Sequence, residues 1–362
     1  MRSHLVRLAA AVSCLAVLLA GAPTDACTAF LLKNPDGPVM AKNFDWDVAA
    51  GLLVVNQRGL AKTALVGDGE TPARWTSRYG SVTFNQYGRE FPIGGMNEAG
   101  LAVEVLWLEA TVYPPAGERR SIDPLQWVQY SLDSFRTVGE VVASASELAV
   151  SGAPLHFIAC DATANCAVIE FLDGKLVQRS ERTLPLPVLT NDTYTASLDY
   201  LNRTLGYGGE PVTPEGTGSL ARFARAADGV QEARRSPGDG AVADALAILA
   251  DVAQPGHTQW SAVYELEAGR VHFTSAGNPK LRRLDIADLD LDCPTEPLVL
   301  DLWSEGEGDV ADALVPYSTE ANRKVIAAGF GAEAVEPPSA EDLQRLVVYP
   351  DGLVCTFEAD KP

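Results

Sequence analysis

The stretch Ala26-Cys27-Thr28-Ala29-Phe30 holds the residue whose type and place could do chemistry, provided that the chain is cut just before Cys27. Residues 1–26 read as a secretory signal, with Arg2 and Arg7 in front, an apolar run from Leu8 to Leu19, and small residues after it. Cleavage after Ala22 would leave Pro23 first, which signal peptidases tolerate badly. Cleavage after Thr24-Asp25-Ala26 leaves Cys27 first. Thr24 and Asp25 are the wrong neighbours for a lipid-modified cysteine. An N-terminal cysteine carries a thiol and a free α-amine on one residue. The amine titrates near pKa ~7.7–8.0 and can take the thiol proton, so nucleophile and general base come together without a distant histidine. The competing reading makes Cys27 half of a structural disulfide, a common fate in exported proteins.

Cysteine counting bears on that choice. Of the six cysteines, Cys14 leaves with the signal, so Cys27, Cys160, Cys166, Cys293 and Cys355 remain. An odd set leaves at least one thiol unpaired within the chain, and Cys27 is the best candidate. Cys160 and Cys166 flank a short turn, which suits a cross-strand bridge. Cys293–Cys355, both in the C-terminal part, is the favoured second pair among three possible connectivities.

The elements that position Cys27 follow in order. Thr28 to Lys33, a turn at Asn34-Pro35-Asp36-Gly37, and Pro38 to Asn43 read as a hairpin. A hairpin brings Lys42, Asn43, Asp45 and Trp46 back beside Cys27. Strands are expected at Leu52–Asn56 and Ser81–Gln86. A tight turn over Gly94-Gly95-Met96-Asn97-Glu98-Ala99-Gly100 then feeds the strand Leu101–Leu108, with Asn97 serving the turn rather than catalysis. Asp123-Pro124 opens a helix to Phe135, and Val138–Leu148 a second. Leu155–Cys160 and Cys166–Leu172 form a hairpin. Val188–Asn191 ends a short strand before a helix near Ala196–Leu205, and a Gly/Pro-rich loop spans Tyr207–Gly218. Helices at Ser219–Ala233 and Gly240–Val252 precede a hairpin of Trp260–Leu266 and Arg270–Ser275, then a strand at Leu281–Ile286. The C-terminal part reads as mostly helical, with helices at Asp309–Ala328 and Ala340–Leu346. Strands and helices in alternating blocks favour a layered α+β domain, a single one over 27–362, with no repeat or splitting linker.

Composition limits the alternatives. The chain has 362 residues, 47% of them hydrophobic and 21% charged, and a formal net charge of −20. Losing Arg2, Arg7 and Asp25 makes it one unit more negative. Such a surface repels phosphate backbones and anionic lipid, so nucleic-acid binding is not expected. After the signal, no apolar run is long enough to span a membrane. Four histidines and no His-Glu-x-x-His motif give no expectation of a metal or cofactor.

Together these segments resemble the choloylglycine hydrolase and penicillin V acylase family of N-terminal-nucleophile hydrolases. The resemblance rests on Cys27-Thr28, on Lys42-Asn43-Phe44-Asp45, and on Gly95-Met96-Asn97-Glu98-Ala99-Gly100-Leu101. It continues through Leu189-Thr190-Asn191, Ala221-Arg222-Phe223 and the hairpin Trp260–Ser275. It implies a four-layer αββα sandwich. It also implies roles: Cys27 as nucleophile with its own amine as base, Asp45 hydrogen-bonding that amine, and Asn191 donating to an oxyanion hole with the backbone N–H of Trp107. Arg222 matches the family arginine near the nucleophile, where a fixed cation favours thiolate. Lys42 stands where bile salt hydrolases have arginine and lacks its planar fork. Trp107 stands where they have asparagine and many penicillin V acylases tyrosine. Trp107 and Trp46 would then offer broad apolar faces to an acyl chain or aryl ring. This pattern is similar to the Gram-negative branch of the family, which takes penicillin V and long-chain N-acyl homoserine lactones. The resemblance implies an exported, periplasmic or extracellular, amidohydrolase for a small-molecule acyl amide, needing no cofactor and forming a homotetramer. A conjugated bile salt hydrolase is the runner-up. A papain-like enzyme using His156, His257 or His272, and a secreted apolar-ligand-binding protein with Cys27 oxidised, are the readings from other classes.

Overall fold

The architecture is described from a computed structural model, which covers residues 27–204, 216, 218–331 and 337–356. The signal segment, most of the loop 207–218 and the end of the helix expected near 196–205 lie outside the described residues. The strands, in chain order, begin with β1 (Thr28–Asn34), β2 (Gly37–Asp45), β3 (Leu52–Asn56), β4 (Leu60–Thr63) and β5 (Arg74–Thr76). Next come β6 (Ser81–Asn85), β7 (Pro92–Asn97), β8 (Ala102–Trp107), β9 (Arg120–Ile122) and β10 (Leu148–Val150). They continue with β11 (Leu155–Cys160), β12 (Cys166–Leu172), β13 (Lys175–Ser180), β14 (Val188–Leu189), β15 (Thr258–Glu265) and β16 (Arg270–Ser275). The last are β17 (Arg282–Asp285), β18 (Leu298–Asp301), β19 (Gly308–Asp309), β20 (Val315–Pro316) and β21 (Val354–Cys355). The helices are α1 (Pro124–Ser134), α2 (Val138–Glu147), α3 (Tyr194–Leu201), α4 (Ser219–Arg235), α5 (Ala241–Asp251), α6 (Thr319–Gly329) and α7 (Ala340–Val348).

Two large sheets face each other. One has seven strands in the order β14-β1-β2-β15-β16-β17-β19, and the other nine, β13-β12-β11-β8-β7-β6-β3-β18-β20. Phe84 from β6 meets Trp260 and Tyr264 of β15 and Phe273 of β16, with ring centroids 5.8–6.4 Å apart. Helices α4 and α5 cover the outer face of the first sheet, and α1 and α2 that of the second. Helix, sheet, sheet and helix make the expected αββα sandwich. The inner strands are buried on both faces; β3, β6 and β7 have no exposed residue.

Local chemistry fixes the elements around the site. The turn between β1 and β2 uses Gly37 at φ +119°, a conformation open to glycine, and pairs Thr28 with Asn43 across the hairpin. Asn97 acts as a turn clamp: its Oδ1 accepts from the N–H groups of Ala99 and Leu101, and its Nδ2 donates to the carbonyls of Leu132 and Phe135. Asp123 caps α1, its carboxylate accepting from the N–H groups of Leu125 and Gln126.

The C-terminal part corrects the sequence expectation. Asp309 lies in β19, and Val315–Pro316 form β20 on the edge of the nine-stranded sheet. The helix starts at Thr319, with Ser318 capping it by accepting from Ala321 N–H. Pro316, which has no N–H, suits an edge strand and not a helix interior. Strands β13 and β18 carry no segment assignment from the sequence. Cys160 pairs with Cys166, and Cys293 with Cys355, as favoured above; Cys27 is unpaired and buried.

Candidate active site

Cys27 precedes β1 at the floor of a cavity of about 590 Å³. The residue is 5% exposed, and its Sγ lies 3.9 Å from the backbone oxygen of Asp45. Burial pushes the thiol up to about 11, with the positive charges of Lys42 and Arg222 pulling it down and Asp45 pushing it further up. A thiol raised that far stays protonated at neutral pH, so a thiolate there needs a base. His156 pairs with Glu170, His257 with Asp47, and His272 with Glu265. The α-amine that proteolysis would create on Cys27 itself meets the need without any of them.

Asp45 ends β2 and is fully buried. Thr258, at the start of β15, donates its hydroxyl to Asp45 Oδ1, while Oδ2 lies 3.8 Å from Arg222 Nη1. Burial raises the Asp45 carboxyl above its usual range, against the pull of Thr258, Arg222 and Gln254. Arg222 is also fully buried and projects from α4 toward the chain start. Its Nη1 donates to the carbonyl of Cys27 at 2.8 Å and to Thr28 Oγ1 at 2.6 Å. Burial lowers its pKa, and Asp45 supports its charge. A guanidinium tied to the carbonyl of Cys27 fixes the position of that residue as well as the local field.

Sheet geometry sets the main chain of Trp107 and the amide of Asn191, the two groups expected to form an oxyanion hole. Leu108 N–H donates to Pro154 O, so residue 108 faces β11. Alternation along an antiparallel strand turns the N–H and C=O of Trp107 the other way, toward β7. The pairing of β7 with β8 runs only from Met96–Ala102 to Gly94–Glu104, so Trp107 lies beyond the ladder. Asn191 Nδ2 donates to Trp107 O at 2.8 Å, and Asn191 lines the cavity with Cys27. A primary amide has two N–H bonds, so one remains for an anion beside the backbone N–H of Trp107.

Lys42 does not present its ammonium to the cavity. Its Nζ lies 2.7 Å from Glu104 Oε2 and donates to the carbonyls of Val105 at 2.8 Å and Ile93 at 3.3 Å. Three donors meet three acceptors where β7 and β8 part, and Lys42 itself is 2% exposed. Glu104 also accepts from the hydroxyl of Tyr264 at 2.6 Å. Gly94 makes the room, since a Cβ there would lie 1.9 Å from Glu104 Oε2. Lys42 therefore braces one sheet on the other, and acts on Cys27 through its charge alone.

The rest of the cavity is mostly apolar, with Asp123 the charged exception. Trp46 and Trp107 line it with ring centroids 5.9 Å apart, together with Phe44, Tyr87, Ile93 and Leu155. Thus Cys27, Asp45, Trp46, Trp107 and Asn191 share one cavity, with Arg222 behind them. Sequence reading missed Thr258, Gln254 and Glu104. Glu104 left a signal: a lone acid in the apolar strand Ala-Val-Glu-Val-Leu-Trp must find a buried cation.

Comparisons with known proteins show the family and the fold. The sequence model of the linear amide C–N hydrolases, choloylglycine hydrolase family, matches residues 27–239. A penicillin V acylase of Pectobacterium atrosepticum is 29% identical over 77% of this chain and 86% of that protein. The structure of penicillin V acylase from Agrobacterium tumefaciens superposes with a TM-score of 0.70 at 28% identity, covering 81% of this chain and 98% of that one. A mutant of the conjugated bile acid hydrolase from Clostridium perfringens gives a TM-score of 0.62 at 18% identity, covering 78% and 98%, a likeness in fold.

Proposed function

Because this chain belongs to the linear amide C–N hydrolases of the choloylglycine hydrolase family, we propose that it is exported, cut before Cys27, and hydrolyses the amide between an apolar acyl group and a small polar amine. Penicillin V and N-acyl homoserine lactones are the substrates of choice. The observation that carries this reading is one cavity in which Cys27, the Asn191 amide and the Trp107 main chain meet beside two tryptophans.

The α-amine of Cys27 takes the thiol proton, and Sγ attacks the amide carbonyl carbon. The resulting oxyanion accepts hydrogen bonds from Trp107 N–H and Asn191 Nδ2. The ammonium returns its proton to the leaving nitrogen, the C–N bond breaks, and the amine departs from a thioester. Water then attacks the thioester, losing a proton to the same amine. The thiolate leaves and is reprotonated as the carboxylic acid is released. Asp45 Oδ2 has no hydrogen-bond partner among the described residues, which leaves an acceptor that, in this mechanism, takes the ammonium when it forms. Arg222 holds the carbonyl of Cys27, so that the nucleophile does not swing away as its charge changes.

Two relatives near 28–29% identity are penicillin V acylases, whereas the bile acid hydrolase is similar in fold at 18%. That, with two indoles in the cavity, supports an acyl chain or aryl ring over a bile salt. An unpaired Cys27 speaks against a binding protein with that cysteine oxidised. A homotetramer is part of the proposal by family likeness. The test is turnover of penicillin V, an N-acyl homoserine lactone and a glycine-conjugated bile acid by protein beginning at Cys27, alongside Cys27→Ala. The first two should be cleaved and the variant inert. Preference for the bile acid would overturn the substrate reading, and turnover by the variant would overturn the nucleophile.

A further inference from the structure

The wall of the cavity far along the chain from Cys27 belongs to the C-terminal helices. Phe330 at the end of α6, Pro338, and Leu346 of α7 line it. These helices rest on a small apolar cluster of their own, in which Val325, Ile326 and Val347 pack on Leu52, Val54 and Val299, separate from the main core. The Cys293–Cys355 disulfide spans the segment carrying both helices, and Cys355 lies in β21 paired to β4. A satellite unit tied at its base thus forms part of the substrate cavity.

Behind that wall lies a second cavity of about 320 Å³. It shares Phe91, Asp123 and Leu346 with the first and continues along Leu65, Val66 and Ile122, the apolar side of a groove whose other lining residues, Gly67, Glu70, Ser151, Asp342 and Arg345, are exposed. Phe91 is buried and its ring lies 6.0 Å from that of Tyr349, whereas Leu346 is half-buried. Asp123 is held as the cap of α1. Of the three dividing residues, Leu346 is therefore the one that can change size with least disturbance, since it packs only on the edge of the small satellite cluster and caps no helix.

Resting on the acylase reading above, we infer that Leu346 and Phe91 form a partition that sets the longest straight acyl chain accepted, and that the second cavity is an extension available to longer chains once the partition is cut back. Each methylene newly buried beyond it contributes about fourfold to kcat/KM, the factor corresponding to ~0.8 kcal/mol per CH₂. Leu346→Ala should raise kcat/KM for tetradecanoyl homoserine lactone by tenfold or more relative to the butanoyl compound, whose own value stays within about twofold. Leu346→Trp should do the reverse, cutting the long chain and sparing the short one. The Cys293→Ser/Cys355→Ser variant, which unties the unit, should widen the range of chain lengths with short-chain turnover kept.

The measurement is kcat/KM across straight-chain lactones from butanoyl to tetradecanoyl for the mature enzyme and each variant. Equal change at every length, no change, or a loss confined to long chains in Leu346→Ala would overturn the inference while leaving the acylase reading intact. If the unaltered enzyme cleaves none of the series, the acylase reading for these chains falls, and the partition with it. Should the disulfide variant fail to fold, the two Leu346 variants decide.

Discussion

Lys42 gives the sharpest separation between bracing and catalysis. Removing its ammonium with Lys42→Met leaves Glu104 buried at 2% exposure with Tyr264 as its remaining side-chain partner. Breaking a buried pair from one side costs about 3–5 kcal/mol, because the other charge stays desolvated. That is a large part of the roughly 5–15 kcal/mol that holds a domain folded. The carboxyl of Glu104 is already raised by burial, with Lys42 and Tyr264 opposing. Without Lys42 it rises further, so the loss shrinks as pH falls and Glu104 protonates. With the folded-state pKa above the unfolded value, the cost is absent below the unfolded pKa, grows between the two, and is complete above the folded one. Lys42→Met/Glu104→Gln removes both charges, and the new amide oxygen can still accept from Tyr264. Its stability should return to within about 1–2 kcal/mol of the original, as neutral replacements of buried pairs do. Urea unfolding midpoints of both single variants and the double, read as a double-mutant cycle, give the coupling. Turnover measured on the same proteins completes the argument. A brace predicts that activity recovers with stability in the double variant, short of the share that the Lys42 charge contributes by pulling the Cys27 thiol down. Restored stability with activity still absent would show that Lys42 takes part in the chemistry, and additive losses would refute the pairing itself.

Other substitutions test the remaining parts of the site. Asn191→Ala should lower kcat by roughly 10²–10³ with little change in KM, the loss expected for one oxyanion donor. Its melting temperature should barely move, and a fall in KM alone would refute the role. Trp46→Ala and Trp107→Ala should cost long or aryl acyl groups more than short ones, by about 0.8 kcal/mol for each CH₂ that loses its apolar surface. A uniform loss on all substrates with a large drop in melting temperature would make both rings structural.

Much of the site's frame was legible because its contacts are local. The β1–β2 hairpin places Asp45 near Cys27 by strand pairing alone, and Asn97 serves the turn that its neighbouring glycines imply. Cys160 and Cys166 face each other across a hairpin. Asn191 and Arg222 were named only through family resemblance, since nothing near them in sequence marks them out; the fold brings Arg222 to Cys27 from 195 positions away. Partners that depend wholly on tertiary contact stayed hidden. Thr258 reaches Asp45 across 213 positions, and Tyr264 reaches Glu104 across 160. Strands β18 and β20, the last two at one side of the nine-stranded sheet, are short, and their pairing with β3 and with each other carries no local pattern. For the same reason the helix before Thr319 was drawn too long, and the part α6 and α7 take in the cavity was not foreseen.

In the proposed mechanism Cys27 acts as nucleophile and base together, and the most direct measurement adds one residue in front of it. A protein that begins Met-Cys27 and keeps its methionine, confirmed by mass, should fold as the mature enzyme does yet cleave no acyl amide, because the Cys27 nitrogen is then an amide without basicity. Its buried thiol, held at about 11, should also alkylate far more slowly at neutral pH than that of protein beginning at Cys27. Removing the methionine with an aminopeptidase should restore both properties in the same sample. Full turnover with the methionine in place would contradict the account and move the base to another residue.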